Sequence, residues 1–142
     1  MPCRHAFLLR AAFAVLLFTA GATIAHAAEG HWMAQAMGVA RAVDDAEASF
    51  AKGDVNGGKR GLTEAYFQNF EDSKLEAAIR KYVGAKRATE IEKLFAAMRK
   101  AMTANDPAQV HTVGQSIREA VIAEAAGLDA AKVAPGVFEV NQ

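Results

Sequence analysis

Cysteine is almost missing from the 142 residues: the single thiol is Cys3, and it sits in a segment that reads as removable. Prolines number three and aromatics make up only 8%, and β-branched residues seldom alternate with polar ones, which disfavours sheet. Neither sign of charge dominates, since Lys plus Arg and Asp plus Glu are 16 each. No global field therefore draws nucleic acid or an acidic membrane surface, and no DNA or RNA partner is expected. No unbroken apolar run reaches the ~20 residues that span a bilayer. What remains is Ala-rich, 52% hydrophobic and 23% charged, the composition of one globular helical domain.

The N-terminus departs from this average. Arg4 and Arg10 precede the apolar run Ala11 to Phe18, and the chain then reaches Ala25, His26 and Ala27. A basic start, a short apolar stretch and an A-x-A site are the three parts of a secretory signal, so cleavage after Ala27 and a periplasmic destination are expected. Taking 27 residues from 142 leaves 115, with 14 basic side chains against 16 acidic ones and a net charge of −2. Cys3 leaves with the signal. Disulfides, c-type haem attachment and Cys-ligated zinc or iron–sulfur sites are excluded from such a mature chain. Packing must stabilise it, and at this size about two-thirds of the unfolded surface can be buried.

Apolar periodicity divides the rest. Trp32, Ala36, Val39, Val43, Ala46 and Phe50 recur at steps of three and four between His31 and Ala51, one stripe of an amphipathic helix. Gly53 stops it, Asp54 is placed to cap a second helix, and Gly57, Gly58 and Gly61 weaken that helix's start before Leu62. It runs to Val83 and exits at Gly84. A third helix spans Ala85 to about Thr103, with Ile91, Leu94, Phe95, Met98 and Met102 on one face. Asp106 and Pro107 suit the cap and first position of a fourth, which turns Val110, Val113, Ile117, Ala120 and Val121 inward and ends at Gly127. The expected fold is thus all-α, an antiparallel up-down four-helix bundle at 28–126, after the signal at 1–27 and before a tail or linker at 127–142.

The second helix contains a phase break. At 100° per residue Leu62, Ala65, Tyr66 and Asn69 face one way, while Leu75, Ala78, Tyr82 and Val83 lie nearly opposite. Either the helix breaks near Glu71 to Ser73 with Ser73 as a new cap, or it continues and sets Glu64 and Glu71 on an apolar stripe. A carboxylate there is costly unless paired or bound to a cation, so both outcomes single out this segment.

The stretch AYFQNFEDSKLEAAIR (Ala65 to Arg80), then EIEKLFAAMRKAM (Glu90 to Met102), with Lys52, Gly53 and Asp54 before them, resembles the periplasmic N-terminal domain of bacterial high-affinity iron permeases, the iron/lead permease family. The resemblance covers roughly Arg41 to Glu124 and is carried best by Tyr66, Phe67, Phe70, Glu71, Glu76, Arg80, Glu92, Phe95 and Arg99. It implies a helical module that meets iron outside the cytoplasmic membrane and passes it to a membrane permease, with Glu64, Glu71, Glu76 and Glu92 on acidic positions of the pattern. The sequence to Gln142 carries none of the family's transmembrane helices, so transport itself is not expected of this polypeptide, and whether it is free-standing or part of a longer permease stays open.

Carboxylates on neighbouring bundle helices can converge on one metal. At ~1.5 Å per residue, Glu64, Glu71, Glu90, Glu92 and Asp44 fall within about 12 Å of one level in an up-down bundle. The competing reading solvates these acids or pairs them with Lys74, Arg80, Lys93 and Arg99. Iron is the expected metal, with copper and manganese open. His31, Met33, Met37 and His111 are secondary candidates, since thioethers one turn apart suit copper and imidazole is a common ligand, although Met pairs usually fill cores. A haem protein bridging Met33 and His111 is disfavoured, because those residues start helices at opposite ends, about 25 Å or more apart. No HExxH, nucleophile elbow or P-loop is present, so no enzyme is expected. The remaining alternative is a metal-free docking or oligomerisation module using Tyr66, Phe67 and Phe70.

Overall fold

The apolar stripe of α1 (His31–Ala51) is the seam on which the chain assembles, and all six of its expected core residues are buried. The structure is a computed structural model that describes residues 30–138; the expected signal at 1–27 lies outside the described residues. The described residues are helical: α2 (Val55–Glu64) runs directly into a π-helical turn (Ala65–Glu71), and α3 (Leu75–Tyr82), α4 (Ala85–Thr103) and α5 (Pro107–Ala130) follow. None of these helices is long and apolar enough to cross a membrane.

Contacts fix the directions. Trp32 meets Asp129 while Glu47 meets His111, so α1 and α5 run antiparallel. Arg87 meets Glu124, and Met98 lies against Gly114, so α4 and α5 do the same. On the other side of α1, Gly58 lies against Phe50 and Gly38 against Asn69. A Cβ on Gly58 would stand 3.0 Å from both the Ala46 carbonyl oxygen and the Phe50 Cβ. The glycines that weaken α2 in isolation are therefore what lets it approach α1. Trp32, Leu62, Phe70, Leu75, Ile79, Ile91, Met98, Met102, Ile117 and Leu128 fill the interior, with no polar or charged side chain buried among the described residues.

The helix ends follow from local chemistry. Asp54 accepts from the Gly57 amide at 2.7 Å and Asp106 from the Gln109 amide at 3.0 Å, each capping its helix as expected. Gly53 leaves α1 with φ +89°, and its amide and the next close onto Phe50 and Ser49 carbonyls in a Schellman ending.

Two expectations need correction. The second helix breaks, as one of the two alternatives held, but the phase is taken up by the π turn: the Asp72 amide reaches back five residues to the Phe67 carbonyl at 2.9 Å. Ser73 then accepts from the Leu75 amide at 3.3 Å and Lys74 turns the chain at φ +69°. Ile79 goes inward in α3, whereas Tyr82 and Val83 stay about half exposed.

The second correction concerns the C-terminal boundary. Gly127 does not end α5, which continues to Ala130 and ends in a Schellman motif at Lys132 (φ +55°), where Val133 donates to the Leu128 carbonyl at 3.0 Å. The extra turn buries Leu128 and delivers the Asp129 carboxylate to the amides of Trp32 and Met33 at 3.0 and 2.8 Å. Gly30, the N-cap of α1, carries no side chain, and a Cβ there would collide with that carboxylate. Since Gly127 is exposed with open space around its Cα, Gly127→Ala is expected to raise stability by about 0.5 to 1 kcal/mol, seen as a higher midpoint in urea denaturation.

Candidate functional site

Breaking the second rod lets α3 lie against α4, where Arg80 bridges a carboxylate of each. Glu71 closes the π turn, Glu76 opens α3 and Glu92 stands on α4, and all three are partly buried. Their common reference is the Tyr66 hydroxyl. Burial first, then the nearby Glu71 carboxylate, then the charges of Glu92 and Glu76 hold this phenol well above its ordinary value of 10. Arg80 spans the cluster from outside: its Nε donates to Glu76 at 2.5 Å and its Nη2 to Glu92 at 2.6 Å. The Glu76 hydrogen bond chiefly raises the guanidinium's affinity for its proton. Glu76 and Glu92 thus share one cation, and Glu71 stands beside the phenol.

Behind the cluster the aromatic residues divide by depth. Phe70 is fully buried and stacks on Phe95 at 5.6 Å between ring centroids. Tyr66 lies edge-on to Phe95 at 5.3 Å and to Phe67 at 5.0 Å. Phe67 itself is 52% exposed. Leu62, Thr63, Tyr66, Phe67, Glu92, Phe95, Ala96 and Arg99 line a cavity of about 240 Å³ between α2, the π turn and α4.

The other expected ligands stand apart. Glu64, the last residue of α2, is exposed and makes no hydrogen bond or ion pair among the described residues. Glu90 pairs with Arg87, and Asp44 with Arg118 at 2.7 Å, so sharing a level does not bring them to the cluster. His31 is exposed with its ring edge-on to Trp32, and Met33 and Met37 are half-buried on α1. His111 meets Glu47 at 2.7 Å, and Glu47 lies 14 residues along α1 from Met33, roughly 21 Å at 1.5 Å per residue. These four do not form one site, and one haem cannot join Met33 to His111. Although partial burial pushes the Glu47 carboxyl up, hydrogen bonds and charge from His111 and Arg118 outweigh it and hold the group below its usual range.

Oxygen donors of this kind suit iron, yet Arg80 now occupies two of the three carboxylates. Among the described residues no three His, Cys, Asp or Glu side chains stand close enough together to hold a metal ion as they are arranged. Arg80 was among the cations expected to pair with these acids, but its bridge from Glu76 to Glu92 depends on the packing of α3 on α4, and the place of Tyr66 beside them depends on the π turn.

The raised phenol has a measurable consequence. A tyrosine neutral in the folded state and ionisable near 10 when unfolded contributes stability below pH 10 that is lost as pH climbs toward its folded value. In a Tyr82→Phe background, ultraviolet titration of the folded protein is expected to show Tyr66 ionising above the unfolded chain, and Glu71→Gln should bring it down. A tyrosine ionising at its ordinary value would contradict the cluster. Compared with known proteins, the chain matches no family model, no curated protein and no solved structure.

Proposed function

We propose that this chain is a periplasmic component of iron uptake, an antiparallel up-down four-helix bundle with its second rod broken, that presents iron to a membrane permease through Glu71, Glu76 and Glu92. The observation that carries the reading is that Arg80 ties Glu76 of α3 to Glu92 of α4, with the Tyr66 phenol and Glu71 of the π turn beside them. The resemblance of Tyr66, Phe70, Glu71, Glu76, Arg80 and Glu92 to the iron permease pattern supports it independently of the geometry. Iron is cargo here, and no catalytic step is required. Because Arg80 already balances two of the acids, a metal ion enters by exchange, displacing the guanidinium as it takes the carboxylate oxygens. Glu64, His31, Met33, Met37 and His111 have no part in this site.

Calorimetric titration of the purified protein with Fe(II) and Fe(III), with copper and manganese as comparisons, tests the proposal. Wild type is expected to bind iron, and Glu71→Gln to weaken it by about tenfold, the scale of one lost charged ligand. Equal binding by both proteins, or none by either, removes iron from the account. The second reading then stands: a metal-free docking or self-association module, favoured by the 52% exposure of Phe67 beside an apolar groove.

A further inference from the structure

The aromatic groove continues, at the end away from Glu71 and Glu76, into a cavity of opposite character. Asn56, Lys59, Arg60 and Thr63 stand at steps of three and four on α2 and so share one of its faces. Arg99 crosses to them from α4, its Nη2 donating to the Lys59 carbonyl at 3.3 Å and to the Thr63 hydroxyl. These five residues line about 240 Å³. Arg80, Arg87 and Arg118 each meet a carboxylate within 3.3 Å, but none of Lys59, Arg60 and Arg99 pairs with one among the described residues. Three cations are therefore gathered, with a hydroxyl and an amide, in a chain whose expected mature charge is negative.

Arrangement gives this charge a direction. Thr63 and Arg99 belong to both cavities, so the cationic end opens straight onto the wall made by Leu62, Tyr66, Phe67 and Phe95. Glu92 stands in the lining of the apolar part and repels a second negative group there. Guanidinium and ammonium groups bind carboxylate and phosphate through short charge-assisted hydrogen bonds, and aromatic walls bind apolar bodies.

We propose that this groove binds a small organic anion with one charged end: a carboxylate or phosphate head among Lys59, Arg60 and Arg99, on an aromatic or apolar body laid along Phe67 and Phe95. The groove shares Tyr66 and Glu92 with the carboxylate cluster, but its anion-binding groups Lys59, Arg60 and Arg99 have no part there, so the proposal does not depend on the iron reading.

Phenyl phosphate, inorganic phosphate and phenol are the probes, titrated into the purified protein at low and high salt. Phenyl phosphate is expected to bind about tenfold tighter than inorganic phosphate and more weakly as salt rises, with phenol weakest. The double variant Lys59→Gln, Arg60→Gln should weaken both phosphates by about tenfold. Phe67→Ala should remove the advantage of the phenyl group and leave inorganic phosphate unchanged. Arg60 and Phe67 are exposed and Lys59 half-buried, and circular dichroism of each variant checks that the fold is kept. Equal affinity for the two phosphates, or binding that ignores the double variant, overturns the proposal. So does binding to phosphatidylglycerol vesicles without binding of soluble phenyl phosphate, which would make the cations a membrane-surface patch.

Discussion

A chain cut after Gly127 is expected to lose stability on the order of 5 kcal/mol, comparable with the whole folding free energy of a domain this size. The cut removes three contributions at one end of α1. Leu128 is 2% exposed, and losing such a side chain from a core costs about 2 to 5 kcal/mol. Asp129 caps the amides of Trp32 and Met33, and a lost cap costs about 0.5 to 2 kcal/mol. The Val133 carbonyl accepts from the Trp32 indole at 2.8 Å, and the cut removes that hydrogen bond, a net loss of about 1 kcal/mol. The three act on the same helix end and do not add independently. Urea denaturation of the cut chain beside Asp129→Ala separates them: the point variant should lose only the cap's share. A cut chain as stable as the full one would return the residues after Gly127 to the tail or linker expected from the sequence.

Phe70→Ala is expected to cost about 3 to 5 kcal/mol, and Phe67→Ala close to nothing. Both rings belong to the same π turn, yet Phe70 is fully buried against Phe95 and Tyr66 while Phe67 is 52% exposed. The contrast tests the π winding itself. In an unbroken α-helix Ala65 and Phe70 would not share a face, because a step of five residues turns the chain about 140° past a full turn. Large costs from both substitutions, or from Phe67 alone, would mean that the turn is wound otherwise.

Stripes and caps were legible in the sequence because they are local. Trp32 through Phe50, and Val110 through Val121, are buried where their spacing placed them, and Asp54 and Asp106 cap where their chemistry placed them. The end of α5 was not legible, because Gly127 is a stop signal only when nothing further along gains from staying helical. Here Asp129 gains partners 96 and 97 residues away in sequence, and Leu128 gains burial. The phase break near Glu71 marked the segment where the second rod either breaks or continues with acids on its apolar stripe, but not that a π turn would absorb it. The level argument for the acids had the same limit: height along a bundle follows from counting residues, whereas facing depends on rotation. Asp44 and Glu90 instead pair with Arg118 and Arg87, and Glu64 points to solvent. The cations of Lys59 and Arg60 carried the plain spacing signal of a shared helix face, but Arg99 reaches them only through packing of α4.

Arg80 is the side chain on which the iron account turns. It stands between two of the acids that an entering cation would take, so removing its charge leaves Glu76 and Glu92 without their counterion, beside Tyr66 and Glu71. Iron titration of Arg80→Gln against wild type is the decisive measurement. A several-fold gain in affinity, abolished again by adding Glu71→Gln, is what metal exchange at this cluster predicts. Affinity unchanged or lowered in Arg80→Gln would mean that the guanidinium and its acids are a structural tie between α3 and α4, and that iron is not held there.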